Sequence, residues 1–184
     1  QVLPMGPTSY GDSPYQSFSA FAGNPYFIDL DMLKEEELLT QEEIDACFWL
    51  DKQEEVKYDA VFYYRFPLLK KAYTRSLHKT TEAYRQFCEK NQFWLPDYSL
   101  YMALKKHFGD NEWLAWEEDA RFRKPEAMEK YKTELKEEID YWKFLQYKFF
   151  EQWEKLKKYA SDNDVKIVGD IPIYVALDSA DVWS

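Results

Sequence analysis

Two apolar segments at opposite ends of the chain constrain its fold more than anything between them. Residues 165–176, "VKIVGDIPIYVA", are β-branched and apolar with no helical spacing, the pattern of a strand buried on both faces as in a parallel sheet. Such a strand needs neighbours to satisfy its backbone groups and to cover its side chains. The one other candidate is "QVLPM" at residues 1–5, stopped by Gly6-Pro7. Two strands cannot make a buried parallel sheet, so the expectation is a larger sheet whose remaining strands lie outside these 184 residues.

Most of what lies between reads as helix. Asp31 is the expected N-cap of the stretch "DLDMLKEEELLTQEEIDACF", and Thr40 with Glu43 forms a capping box that restarts it. The next helix is expected to take Pro67 in its first turn, where its missing N–H costs little, and to run to about Lys90. Asp97 is the expected cap of a helix with Leu100, Ala103 and Leu104 on its apolar stripe and Gly109 at its end. After Pro125, apolar residues from Tyr131 through Trp142 and Phe149 to Ala160 recur three or four apart. They predict one helix on the order of 50 Å long.

Residues 8–24 break this pattern. Rich in Ser, Gly, Pro, Tyr and Asn, they form a loop longer than an ordinary connection, and long ordered loops tend to carry function. At the other end, Asp170 directly follows an apolar run and Gly169. A carboxylate buried there costs several kcal/mol unless it is paired or hydrogen-bonded, so Asp170 is either a site residue, a sheet-lining acid satisfied by an arginine, or both. Asp178 and Asp181 read as turn and cap residues. The acidic runs Glu35-Glu36-Glu37, Glu54-Glu55 and Glu137-Glu138 read as solvated helix charge.

Composition narrows the function classes. A net charge of −10 argues against a nucleic acid or an anionic membrane as partner. No apolar run approaches the roughly 20 residues of a membrane span, and no signal segment is evident, so a cytoplasmic location is expected. Cys47, Cys88, His78 and His107 have neither disulfide-framework nor zinc spacing. No phosphate-cradling glycine loop or calcium loop occurs, so neither cofactor nor metal is expected. The aromatic content of 19% exceeds what a core of this size requires. Most of these rings should pack helices together, leaving a minority to line a sugar-binding surface.

Four stretches, "LPMGPTSYGDSPYQSFSAFAGNPYFIDL", "WLPDYSLYMALKKHFG", "FFEQWEKLKKYA" and "GDIPIYVALDSADVW", resemble in this order the amylomaltases. These are the 4-alpha-glucanotransferases, or disproportionating enzymes, of glycoside hydrolase family 77. The resemblance implies an α/β fold: part of a (β/α)8 TIM barrel, with "QVLPMG" as second strand, "VKIVGDIPIYVA" as third, and a mainly helical insertion between them. It divides the chain into a strand and substrate loop (1–31), an inserted helical subdomain (32–125), a long amphipathic helix (126–161) and a strand with its following loop (162–184). Barrel sites sit at the C-terminal ends of strands, where the opening loop and Asp170 both lie.

By the same resemblance, Tyr10, Ser13, Tyr15 and Asp170 are the expected substrate-binding residues, and the substrates are maltooligosaccharides or glucans derived from starch or glycogen. The implied chemistry is retaining transfer of α-1,4-glucan segments, with nucleophile and acid/base carboxylates roughly 5 Å apart. The family's "R-I-D-H-F-R-G"-like nucleophile motif does not occur here. The nucleophile and acid/base are therefore expected beyond Ser184, the chain is expected to be a piece of such an enzyme, and in isolation it should be inactive. Two other readings are a non-catalytic α-glucan-binding module and a helical scaffold protein. Oligomeric state is left open.

Overall fold

Side chains that leave water set the architecture. In the computed structural model, which describes residues 1–9, 11–47, 56–171 and 174–184, nine α-helices form among the described residues. They are α1 (Leu30–Glu35), α2 (Gln41–Asp45), α3 (Tyr58–Arg75), α4 (Glu82–Lys90), α5 (Leu95–His107), α6 (Glu118–Arg121), α7 (Pro125–Glu134), α8 (Lys136–Asp162) and α9 (Ala180–Trp183). Helix α8 packs along α5 and also meets α3 and α4, while α9 packs on α5. Because α5 has neighbours on several sides, Tyr98 to Lys105 are all buried, well beyond the stripe its spacing suggested. The expected Glu54-Glu55 pair and Tyr10 lie outside the described residues.

Several helix boundaries differ from the sequence expectation. Asp29, two residues earlier than Asp31, caps α1 by accepting the Met32 N–H at 2.9 Å, while Asp31 pairs with Lys34. The Thr40–Glu43 capping box is present. Glu43 also takes Arg75 in two bonds of 2.6 and 2.8 Å, which ties α2 to α3 and holds its carboxyl near 2. Helix α3 starts nine residues before Pro67, leaving that proline mid-helix. An interior proline costs about 3 kcal/mol. The aromatic contacts of the upstream half offset it, with Phe66 against Trp142 at 5.9 Å and against Tyr26 at 5.9 Å. The helix ends at Arg75, not Lys90, because Thr81 caps a separate α4.

The long helix is also two helices. Leu135 breaks it at φ −102°, ψ 16° without any proline or glycine nearby. The halves face different partners: Tyr131 on α7 packs on His107 and Phe108, whereas Tyr141, Trp142 and Phe144 on α8 face α3 and α5. Asp97 does not cap α5 but pairs with Arg123 at 2.7 Å. Three acids expected to be solvated are engaged: Glu36 pairs with the buried Lys148 of α8, Glu138 with Lys70 at 2.7 Å, and Glu137 accepts the Tyr73 hydroxyl at 2.9 Å.

Among the described residues no β-strand forms. The two terminal apolar segments do meet, since the Val2 N–H donates to the Val168 carbonyl at 2.9 Å. One such bond does not register a ladder, and residues 165–171 remain in water, with Val168 59% and Ile171 77% exposed. Nothing among the described residues covers those faces, and no strand forms there to be buried.

His78 lies buried between Tyr73, Tyr84 and Phe144, with ring centroids 5.6, 4.8 and 4.8 Å away. Neither ring nitrogen has a hydrogen-bond partner among the described residues. Burial, then the Lys79 and Lys148 charges, push its pKa down to about 4. Between that value and the ordinary 6.5 the unfolded chain binds the extra proton, so this contribution to stability is complete above pH 6.5 and drains away as pH falls towards 4. Replacing His78→Phe removes the titration while keeping a ring. Urea unfolding should then show the variant gaining on the parent by up to about 3 kcal/mol between pH 7 and pH 4. An offset that is equal at both pH values would contradict this account.

Candidate functional site

The opening loop is built as a short hairpin. Thr8 and Ser17 form an isolated antiparallel bridge, flanked by bonds from Ser9 N–H to Gln16 O (2.9 Å) and Phe18 N–H to Pro7 O (3.1 Å). Gly6 is required by packing: a Cβ there would sit 2.5 Å from the Ser17 hydroxyl oxygen, which lies within 2.9 Å of the carbonyls of Pro7 and Ser19. At the tip the chain turns through left-handed conformations at Gly11 (φ +82°) and Asp12 (φ +52°), the first of which is free only for glycine.

This turn presents Tyr15. Its hydroxyl donates to Asp170 Oδ2 at 2.8 Å, and the other carboxylate oxygen accepts the Ile171 N–H at 2.9 Å. The bond to Asp170, chiefly, holds the Tyr15 phenol above its usual pKa. Asp170 is half-buried, and among the described residues its partners are this phenol and the Ile171 N–H. Ser13 stands two residues away with its oxygen accepting the Tyr15 N–H at 3.3 Å, a turn contact. Of the four sequence-derived site residues, Tyr15 and Asp170 are thus bonded directly, Ser13 shapes the turn that leads into Tyr15, and Tyr10 is outside the described residues.

Two concavities border the loop. Asp170 opens on a small one of about 180 Å³, walled by Pro14, Phe21, Phe149 and Trp153. A much larger cleft of about 1640 Å³ touches the loop at Ser9, Asp12 and Gln16 and continues past Tyr26 and Tyr141. Neither Tyr15 nor Asp170 lines the larger cleft. The loop is a wall between the two.

What anchors this wall was not evident from the sequence. Gln146, fully buried on α8, donates to the Gly23 carbonyl at 2.9 Å and accepts the Gly23 N–H at 2.7 Å. Six residues on, Gln152 does the same for Asp29, at 3.1 and 2.7 Å. Phe149 sits between them, and a Cβ on Gly23 would overlap its ring at 1.9 Å. Asp178 and Asp181, expected as turn and cap residues, are tertiary clasps instead. Asp178 accepts from Lys105 and Tyr101 at 2.6 Å each and from the Trp113 N–H at 3.2 Å. Burial first, then this bond, raises the Tyr101 pKa. Asp181 accepts from Ser19 and Ala20. The one signal for the glutamines is their polarity on an otherwise apolar helix face.

A sequence profile described as 4-alpha-glucanotransferase matches residues 1–184. The chain belongs to that family. It is 54% identical over 184 residues to the 4-alpha-glucanotransferase of Clostridium butyricum, covering all of this chain and 38% of that protein. It is 45% identical over 188 residues to the enzyme of the same name from Thermus thermophilus, covering 37% of it. The structure of amylomaltase from Streptococcus agalactiae in complex with acarbose superposes on 99% of this chain and 37% of its own, with a TM-score of 0.93 at 39% identity. The chain thus spans little more than a third of the length of these relatives, and the amylomaltase resemblance holds along all of it.

Removing the Gln146 amide tests the anchoring of the wall in this family member. Gln146→Leu leaves the Gly23 N–H and C=O buried without partners, each worth about 1–3 kcal/mol. The expected loss in urea unfolding is roughly 2–4 kcal/mol, and a loss below about 1 kcal/mol would show that water replaces the amide.

Proposed function

We propose that this chain contributes part of the sugar groove of a 4-alpha-glucanotransferase that moves α-1,4-glucan segments between maltooligosaccharides by retaining double displacement. The observation that carries this reading is the bond between Tyr15 and Asp170. It joins the opening loop to the far apolar segment, 155 residues away in sequence, and leaves the Asp170 carboxylate on the small cavity and the Tyr15 ring half-exposed on the loop that borders it. A pyranose offers an apolar face to such a ring and hydroxyls to such an acid. Acarbose bound to the Streptococcus agalactiae relative supports the same ligand class here.

The nucleophile and acid/base are supplied, on this reading, by residues other than these 184, and the terminal segments become neighbouring staves of a (β/α)8 barrel when the other staves are present. The Val2–Val168 bond and the exposed apolar side chains of residues 165–171 support that arrangement. Asp170 cannot replace the missing pair alone, because retaining chemistry takes two carboxyl groups with distinct roles.

The experiment compares the chain alone with the Clostridium butyricum relative in which the matching residues are exchanged for this chain. The chain alone should release no glucose from maltotriose, and the exchanged enzyme should release it. In the exchanged enzyme, Asp170→Asn should lower kcat/KM about 100-fold or more, as expected for a lost charged hydrogen bond to substrate, and Tyr15→Phe about 10-fold, as expected when the carboxylate loses the phenol that orients it. Variants within twofold of the parent would remove Tyr15 and Asp170 from the site. Saturable maltooligosaccharide binding by the chain alone, without turnover in the exchanged enzyme, would favour the binding-module reading instead.

A further inference from the structure

Asp181 occupies the first turn of α9, where an acid ordinarily complements the helix dipole. Its carboxylate is directed elsewhere. Oδ1 accepts the Ser19 hydroxyl at 2.9 Å and Oδ2 accepts the Ala20 N–H at 2.6 Å. One residue earlier, the Ala180 N–H donates to the Phe18 carbonyl at 2.8 Å. Three successive loop residues, 18 to 20, are therefore held by two successive residues of the terminal segment. Ser19 is fully buried, and its oxygen in turn accepts the Phe21 N–H at 3.1 Å.

This clasp and the Tyr15–Asp170 bond close a ring. Residues 15–20 form one side of it, and the two joints lie at Asp181 and at Tyr15. The joints are unequal. Asp181 engages a buried hydroxyl and a backbone amide, whereas Tyr15 is 48% exposed and makes a single bond of 2.8 Å to Asp170. Between them the hairpin is stiff, cross-linked at Ser9–Gln16 and Pro7–Phe18. A stiff arm transmits rotation at its base to its tip, and a displacement of about 1 Å carries a bond of this length beyond hydrogen-bonding range.

We infer that Asp181 is a positioning residue: its carboxylate fixes the base of the loop so that the Tyr15 hydroxyl meets Asp170. The glucan part of this role rests on the function proposed above, but the geometric part does not. Loss of the Asp181 carboxylate leaves other anchors in place, namely the Ala180–Phe18 bond and the Gln146–Gly23 pair. The expected consequence is a loop that swings within a folded chain, not an unfolded one.

The test uses the 184-residue chain with ¹³C-labelled tyrosine, reading the Tyr15 phenolic carbon by NMR at neutral pH. The shift produced by Asp170→Asn defines an open joint. Asp181→Ala should move the signal at least half of that distance, Asp181→Asn less because it retains an acceptor oxygen, and Val182→Ala on the same helix not at all. A Tyr15 signal that stays at the parent position in Asp181→Ala overturns the inference, as does a parent signal that already coincides with Asp170→Asn. In the exchanged enzyme, Asp181→Ala should lower kcat/KM at least tenfold. Combined with Asp170→Asn it should add less than twofold, because both act through one joint. Full additivity there counts against the inference. If instead Asp170→Asn leaves kcat/KM unchanged, the proposed function fails while the NMR result still decides the role of Asp181.

Discussion

Everything on the loop side of this molecule depends on two glutamine amides projecting from one face of α8. Gln146 and Gln152 each bond both backbone groups of one loop residue, Gly23 and Asp29. A helix has no free backbone edge to offer a neighbouring chain, so a side-chain amide, one donor and one acceptor in a plane, serves as a substitute strand edge. The spacing of six residues matches on both partners because residues 24–29 advance beside the helix through a 3₁₀ turn at Pro25–Phe27. With those two positions fixed, the chain before Gly23 has a rigid origin, and Phe149 leaves room there for glycine alone.

The aromatic surplus divides along the same line. Rings of α5 and α8, such as Tyr98, Tyr101, Trp142 and Phe144, form the buried core, and Trp183 of α9 joins it through Tyr101 and Trp116. Tyr15 and Phe21 are left facing the small cavity or water. The apolar side chains of residues 165–171 are a different case. They are exposed without a polar counterpart, and exposure of contiguous apolar surface is the ordinary mark of a face that another structure covers.

Local chemistry in the sequence was a good guide where local chemistry decides the outcome. The Thr40–Glu43 box and the stop at Gly109 form as read, because each is satisfied by atoms a few residues away. Expectations moved where distant groups compete. Asp97 is a sound cap in isolation, yet Arg123 takes it once the chain has folded, while the shift from Asp31 to Asp29 is a local one of two residues. Pro67 is mid-helix because Trp142, 75 residues on, rewards the turn before it. The site followed the same rule. Asp170 could be singled out from its apolar surroundings, but its bond to Tyr15 depends on a separation of 155 residues that no spacing rule encodes. Asp178 and Asp181 read as turn and cap residues, and Gln146 gives no local signal, because their partners are backbone groups or side chains far away in sequence.

The two aspartates of the terminal segment show how charge is distributed around the loop. Asp178 has a buried ammonium, Lys105, at 2.6 Å, so its negative charge is compensated where it lies. Asp181 is bonded by a hydroxyl and an amide, neutral donors that orient a carboxylate without cancelling it. Asp170 is likewise held by neutral donors, the Tyr15 phenol and the Ile171 amide. Asp170 and Asp181 thus lie at opposite joints of one ring, each oriented by dipoles. An acid oriented in this way retains its field for a polar ligand, which a salt-bridged acid would largely have surrendered. That distinction separates Asp178, whose charge is spent on holding α5 to the terminal segment, from Asp170, whose partners among the described residues are neutral donors beside the small cavity.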